Sequence, residues 1–158
     1  MKVDNEFHTV RGYELKNNEK KITPAMEDYL EMIYRNSLKN NYIRTNQLAK
    51  LLNVQNSSVS KMTQKLGEIG LLNYEKYGII TLTNKGERLG SFLLKRHLTL
   101  ENFLKLLGCQ QNILIQTELM EHVIDNETVE RMQMFIKFFK ENKDILDEFI
   151  LFSNNCSN

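Results

Sequence analysis

Met26, Tyr29, Leu30, Ile33 and Tyr34 recur at three- and four-residue intervals, the spacing of one apolar stripe on a helix. Thr23-Pro24 supplies its start: a hydroxyl at the N-cap, then the only proline of the chain at the first helical position. Asn40-Asn41 reads as its end. A short helix is expected over Thr45–Leu52, then a turn at Asn53-Val54-Gln55. A further helix, capped by Asn56 or Ser57, carries Val59, Met62, Leu66 and Ile69 at helical spacing and stops at Gly70. Residues 71–83 read as two short strands around a turn. Helix, short turn, helix and hairpin is the order of a winged helix-turn-helix.

Beyond it the period stays helical. Residues 84–107 form one long predicted helix with Leu89, Phe92, Leu93, Leu100, Phe103, Leu104 and Leu107 on one face, ended by Gly108. Helices are expected near 112–124, from 125 or 126 to about 142, and over 144–152. Met132, Phe135, Ile136, Phe138 and Phe139 cover more than one face of theirs, whereas a surface helix needs only one stripe. That excess fits a dimer core, or a crowded core within one chain. The expected fold class is mostly α: a winged helix-turn-helix with a small β-hairpin wing, followed by an all-α dimerisation region. Its expected parts are an extension without periodicity at 1–21, a DNA-binding domain at 22–83, a helical dimerisation and metal-binding domain at 84–152 and a disordered tail at 153–158.

Composition narrows the class. With 41% hydrophobic and 26% charged residues among 158, the chain suits a water-soluble globular protein. No apolar run reaches the roughly 18–20 residues of a membrane span, and the first residues lack the apolar core of a secretory signal. Cys109 and Cys156 stand far apart, which argues against a disulfide framework and fits a reducing cytoplasm. The net charge of +1 is unevenly spread. Between Arg44 and Lys76 five bases face two acids, whereas residues 110–130 hold five acids and no Lys or Arg. A basic half and an acidic half point to two tasks.

In a helix-turn-helix the second helix enters the major groove, and its first residues touch base edges. Here that stretch offers Gln55, Asn56, Ser57, Ser58, Ser60, Lys61, Gln64 and Lys65. Short hydroxyls allow close approach to phosphate, amides pair with adenine, and lysines pair with guanine or phosphate. Arg44, with Tyr74, Lys76 and Tyr77 on the hairpin, suits backbone contact. A polar helix face alone equally describes solvated surface. Its place in the order of elements is what favours double-stranded DNA.

The acidic half holds different chemistry. Glu118, Glu121 and His122 fall along one edge of a predicted helix, and Asp28 and Glu31 stand three apart, off the apolar stripe of theirs. His97 lies beside the stripe of the long helix. Four carboxylates and two imidazoles could hold one or two divalent ions. Taken singly, acids three apart usually face solvent and such a histidine usually borders a core, so spacing alone leaves metal binding one option.

Three stretches together resemble the diphtheria-toxin-repressor family, in its manganese-responsive branch. They are Thr23-Pro24-Ala25-Met26-Glu27-Asp28-Tyr29-Leu30-Glu31-Met32-Ile33-Tyr34; Ser57-Ser58-Val59-Ser60-Lys61-Met62-Thr63-Gln64-Lys65-Leu66 with Tyr74-Glu75-Lys76-Tyr77; and Arg96-His97 with Glu118-Leu119-Met120-Glu121-His122. The likeness spans about residues 22–150. It implies that Asp28, Glu31, His97, Glu118, Glu121 and His122 hold a binuclear metal centre, and that a metal-loaded homodimer binds palindromic operators as a repressor of metal-homeostasis genes. Carboxylates stand at positions 28 and 118, where the iron-responsive branch has sulfur ligands, and an oxygen-rich set suits Mn²⁺, with Fe²⁺ the alternative. At 158 residues the chain is expected to lack the extra C-terminal domain of that branch. Gln55-Asn56 replaces the His-Pro frequent before the serines, so the resemblance implies DNA binding without carrying over an operator sequence, and His122-Val123 replaces a frequent histidine pair. The extension at 1–21 reads as a leader, against a minor-groove arm through Lys2 and Arg11 or a cap on the metal site through His8.

Two other classes compete: a di-metal carboxylate enzyme of the helical-bundle kind, and a metal-independent winged-helix regulator. Only Glu118-x-x-Glu121-His122 approaches the bundle pattern, and a hairpin has no place in it. No nucleophile-base set, glycine-rich phosphate loop or CxxC pair occurs, so no enzyme activity is expected.

Overall fold

The first helix begins where its capping chemistry sits. In the computed structural model, which describes residues 22–75 and 78–156, helix α1 spans Pro24–Ser37, and the Thr23 side chain accepts a hydrogen bond from the Met26 amide. It stops at Ser37 with Leu38 as C-cap, before the Asn40-Asn41 end expected, because the Leu38 and Asn40 amides turn back onto Tyr34 and Asn36. Helix α2 (Thr45–Leu52) ends at Asn53, whose left-handed backbone (φ 53°) lets its amide and that of Val54 close on Lys50 and Ala49. Helix α3 (Asn56–Glu68) is capped by Gln55, not by Asn56 or Ser57. Gln55 has extended backbone and makes no side-chain cap bond, so the helix starts one residue early with its first turn open to an outside acceptor.

The hairpin consists of β2 (Leu72–Glu75) and β3 (Ile79–Leu82), paired antiparallel with Leu72 opposite Leu82 and Glu75 opposite Ile79. A third strand, β1 (Ile43–Arg44), joins the free side of β3, with Ile43 opposite Ile80. The sequence pattern predicts no such strand. Two residues carry no periodicity, and the strand exists only through its partner.

Leu30, Leu48, Val59, Leu66, Leu71, Ile80 and Leu93 are fully buried and form one cluster that joins α1, α2, α3, the sheet and the start of the next helix. That helix, α4 (Asn84–Leu106), is capped by Thr83. Two glycines seat it. A Cβ on Gly86 would come within 2.0 Å of the Leu71 carbonyl oxygen, and one on Gly90 within 2.6 Å of Tyr34 Cβ. Bare backbone therefore lets α4 lie directly against the hairpin and α1. Within α1 only Pro24 and Ala25 are exposed.

Helices α5 (Ile113–Met120), α6 (Asn126–Glu141) and α7 (Lys143–Cys156) complete the chain. Helix α5 is shorter than the 112–124 expected. The Val123 and Ile124 amides both close on Met120, so Glu121 and His122 lie on a tight turn past the helix. Helix α7 runs past Phe152, so residues 153–156, expected as tail, are helical. Ser153 continues the inward side set by Leu146 and Phe149, and lies 4.0 Å from the Cβ position of Gly108. Phe92 and Leu107, read as stripe positions, are exposed, while Arg96 is buried. Among the described residues no helix is long and apolar enough to cross a membrane.

Candidate metal centre

Positions 93, 97, 100 and 104 of α4 follow one buried line, and position 97 on it is a histidine, 2% exposed. A buried imidazole needs a partner. The His97 Nδ1 atom lies 2.8 Å from Glu121 Oε2 and 3.8 Å from both Glu31 Oε1 and Glu118 Oε1. Thus α1, α4, α5 and the turn after α5 converge on one ring nitrogen. On its other side Glu121 turns Oε1 toward His122 Nε2, at 3.9 Å, and His122 Nε2 lies 3.0 Å from Asp28 Oδ1.

Two triads result, Asp28–Glu121–His122 and Glu31–His97–Glu121, each offering three ligand atoms within 4.8 Å of one another. Glu121, 2% exposed, belongs to both, one oxygen toward each. Glu118 borders the second triad and is half exposed. All six residues singled out for metal chemistry therefore meet in one place.

The donor set is tested by its charge and its unsatisfied atoms. Asp28, Glu31, Glu118 and Glu121, with Glu27 beside them, put five carboxylates in one region, against the guanidinium groups of Arg35 and Arg96. Two like charges 4 Å apart repel by about 4 kcal/mol at an effective dielectric near 20, so the cluster favours added positive charge. Asp28 Oδ1 is buried and forms no aligned hydrogen bond, although His122 Nε2 is only 3.0 Å away. Two ligand atoms so close without a bond between them fit donors aimed at a common third atom. Oxygen and imidazole nitrogen without thiolate suit a hard divalent ion. Cys109, half-buried, lies beyond the end of α4 and is in neither triad, and the Cys156 side chain is outside the described residues.

Protonation follows the same charges. The His122 imidazole is pushed up to about 10, first by the Asp28 carboxylate beside Nε2, then by its hydrogen bond to Glu27, against the opposing effect of burial. His97 is also raised, chiefly by the Glu121 hydrogen bond. Burial, with the neighbouring Glu121 charge, raises Glu118. Burial alone would raise Glu27 too, but hydrogen bonds from His122 and Arg96 outweigh it and hold the carboxyl low. Without metal both histidines thus tend toward imidazolium, and a cation at their ring nitrogens must displace protons.

Sequence reasoning missed three residues here. Glu27 accepts from Arg96 Nη2 at 2.8 Å and meets His122 Nδ1 at 3.0 Å. Arg35 donates twice to Glu31 Oε1, at 2.9 and 2.5 Å. One signal was available: Arg96 and His97 both fall where the 93–100–104 line requires burial, so each needs a partner of opposite charge.

The candidate DNA-reading face lies on α3. Asn56, Ser57, Ser58, Ser60, Lys61, Gln64 and Lys65 of α3 are exposed together with Gln55 and Arg44, while Val59, Thr63 and Leu66 face the core. The Thr63 hydroxyl is satisfied by the Val59 and Ser60 carbonyls, and Ser60 bonds back to Asn56. The uncapped start of α3 adds the positive end of the helix to this face. Tyr74 is exposed on β2. Lys76 and Tyr77, expected to touch DNA, lie outside the described residues, as do the extension 1–21 with Lys2, His8 and Arg11, and residues 157–158.

Comparison with known proteins gives two family matches. Residues 21–80 match the iron dependent repressor, N-terminal DNA binding domain, and residues 83–149 match the iron dependent repressor, metal binding and dimerisation domain. The chain is 42% identical over 125 residues to the HTH-type transcriptional regulator MntR of Lysinibacillus sphaericus (strain C3-41), covering 78% of this chain and 90% of that protein. Its fold is similar to the structure of the manganese regulator SloR, with a TM-score of 0.65 and 33% identity over 74% of this chain. It is also similar to a manganese-dependent transcriptional repressor in complex with manganese, with a TM-score of 0.65 and 28% identity over 72% of this chain. It spans 55% and 53% of those two solved chains.

Proposed function

The chain belongs to the iron-dependent repressor family, a family of transcriptional repressors and not of enzymes, and on that premise we propose that it is a Mn²⁺-activated repressor that binds palindromic operators as a homodimer in the cytoplasm. Asp28, Glu31, His97, Glu118, Glu121 and His122 would hold two ions per subunit, with Glu121 shared between them. The observation that carries the reading is the pair of triads meeting at buried Glu121. The chain divides, on this reading, into a DNA-binding part at 22–83 and a helical part at 84–152.

The bound cations would supply the positive charge that cancels carboxylate repulsion. Helix α1 carries the effect to the DNA-reading face. Its Asp28 and Glu31 face the centre, while Leu30 and Ile33 pack into the cluster that also holds Leu48, Val59 and Leu66 of the helix-turn-helix. Drawing Asp28 and Glu31 toward His97 and Glu121 therefore fixes the position of α3 relative to α4. In a dimer built on the helical part, that sets the distance between two recognition helices, which must be about 34 Å for one turn of DNA. Arg44, Gln55, Asn56, Ser57, Ser58, Ser60, Lys61, Gln64 and Lys65 would then meet the duplex, with Lys76 and Tyr77 of the wing beside them. A coupling of about 1–3 kcal/mol between metal and DNA would change operator affinity 5–150-fold.

The test is DNA binding to a palindromic promoter fragment across a panel of buffered metals. Tight binding with Mn²⁺, and weak binding with chelator, is expected. Equal affinity in both conditions would sink the proposal, and stronger activation by Fe²⁺ than by Mn²⁺ would move it to the iron branch. Glu121→Ala should abolish the metal response and leave weak, salt-sensitive DNA binding.

A further inference from the structure

His122 is gripped at both ring nitrogens by two consecutive residues of α1. Asp28 reaches Nε2 at 3.0 Å and Glu27 reaches Nδ1 at 3.0 Å. Asp28 belongs to a triad, but Glu27 belongs to neither. The same Glu27 oxygen that meets Nδ1 also accepts from Arg96 Nη2, at 2.8 Å, and the Arg96 side chain is only 5% exposed. Arg96 Nε is buried without a hydrogen-bond partner, so among the described residues Glu27 is the group that compensates this guanidinium. One carboxylate oxygen thus joins α1, α4 and the turn after α5.

We propose that Glu27, locked by Arg96, is a positioning residue that keeps the proton of neutral His122 on Nδ1 and presents the bare Nε2 to the metal. The inference rests on His122 being a ligand. Its chemistry is simple. A carboxylate only accepts hydrogen bonds, and Glu27 lies outside the triads, so once a cation is shared by Asp28, Glu121 and His122 the nitrogen facing Glu27 keeps the hydrogen and the lone pair is left at Nε2. Arg96 matters because a side chain with one small rotation could slip off Nδ1, and a buried donor facing the same oxygen removes that freedom. His97 makes the contrast. It turns Nδ1, not Nε2, toward Glu31 and Glu121, so the two imidazoles would bind through different nitrogens and need separate tautomer control.

Three variants test this in the full-length protein. Glu27→Met/Arg96→Met removes both charges at once and leaves no unpaired buried ion. Its Mn²⁺ affinity, measured against a competing chelator, is expected to fall 10–100-fold. Nitrogen-15 spectra of the Zn²⁺-loaded protein, used as the diamagnetic form, should lose the Nδ1–H signal of His122. Glu27→Gln keeps a carbonyl that Arg96 holds in place, and should restore that signal and most of the affinity. Arg96→Met alone should give an intermediate loss and so tests the lock even if the double variant does not fold. A purely structural role would lower the melting temperature yet leave the tautomer signal and the affinity of the folded protein unchanged, and that result overturns the proposal. Wild-type protein that does not bind Mn²⁺ would instead overturn the ligand assignment itself.

Discussion

The two halves of this molecule are finished to different degrees. Around α1, α2, α3 and the sheet, one continuous apolar core closes, with Leu30, Leu48, Val59, Leu66 and Ile80 fully buried, and only scattered side chains such as Leu38, Leu51 and Tyr74 are left exposed. In the helices after residue 106 the burial is partial. Val129, Ile136 and Phe139 are inside, but Leu114, Ile115, Leu119, Val123, Met134, Phe138, Leu151 and Phe152 are exposed. Phe103, Phe135, Phe139 and Phe149 stack in a chain that begins a core without completing it. A half that is whole within one chain suits a rigid reading head. A half that leaves this much apolar surface bare is completed by the second subunit, in keeping with the dimerisation domain matched at residues 83–149.

The sharpest way to break this contrast is inside the closed half. Leu30→Ala should cost about 2–5 kcal/mol, because a fully buried leucine leaves a cavity that its rigid neighbours cannot refill. Denaturant unfolding measures it, and a loss below about 1 kcal/mol would mean that this core is looser than its burial implies. Gly90→Ala acts at the seam between the halves. Its Cβ would meet Tyr34 Cβ at 2.6 Å, forcing α1 away from α4 at a cost of about 1–3 kcal/mol. Since α1 carries Asp28 and Glu31, Mn²⁺ affinity should fall with stability, and unchanged affinity would show that the centre tolerates displacement of α1.

Smaller effects come from protons. His122 has its pKa raised to about 10 in the folded, metal-free chain, against about 6.5 when unfolded, so its ion pairs stabilise fully below pH 6.5 and that contribution fades as pH climbs toward 10. Melting of the chelated protein between pH 7 and 10 should show the decline. Calorimetry at pH 7 in buffers of different ionisation heat should show at least about one proton released when Mn²⁺ binds, His122 being the main source. Absence of proton release would contradict the charged histidine. The smallest effect on the subunit belongs to the open half. Leu119→Ser removes a side chain that its own chain leaves 69% exposed, so unfolding at low concentration should move by under about 0.5 kcal/mol. Sedimentation should nonetheless show weaker self-association if this face meets the second subunit.

How much could be read in advance divides along the same lines. Local chemistry was legible: Thr23-Pro24 starts α1, Asn53 turns the chain, and the stripes of α1 and α3 face inward. Residues whose role depends on distant partners were not. Strand β1 exists through Ile79 and Ile80, and Gln55 starts a helix without being a capping side chain. Glu27 gains its meaning from Arg96, 69 positions away, and His122, 95 positions away. The six candidate ligands were legible as residue types, and their convergence needed the turn after α5, where the sequence pattern had suggested a continuing helix.

Helix α1 has little open solvent face: Pro24 and Ala25 are its only fully exposed residues, and its other positions are buried or half-buried. One flank belongs to the apolar cluster and the other to the carboxylate cluster. Such a helix has no neutral side on which substitutions can accumulate. Variation in how tightly metal and DNA are linked would therefore be tuned elsewhere, on the surfaces of α3 and of the last helices, while α1 stays nearly fixed. In a deep mutational scan scored for repression, it should stand out as the least tolerant stretch of its length.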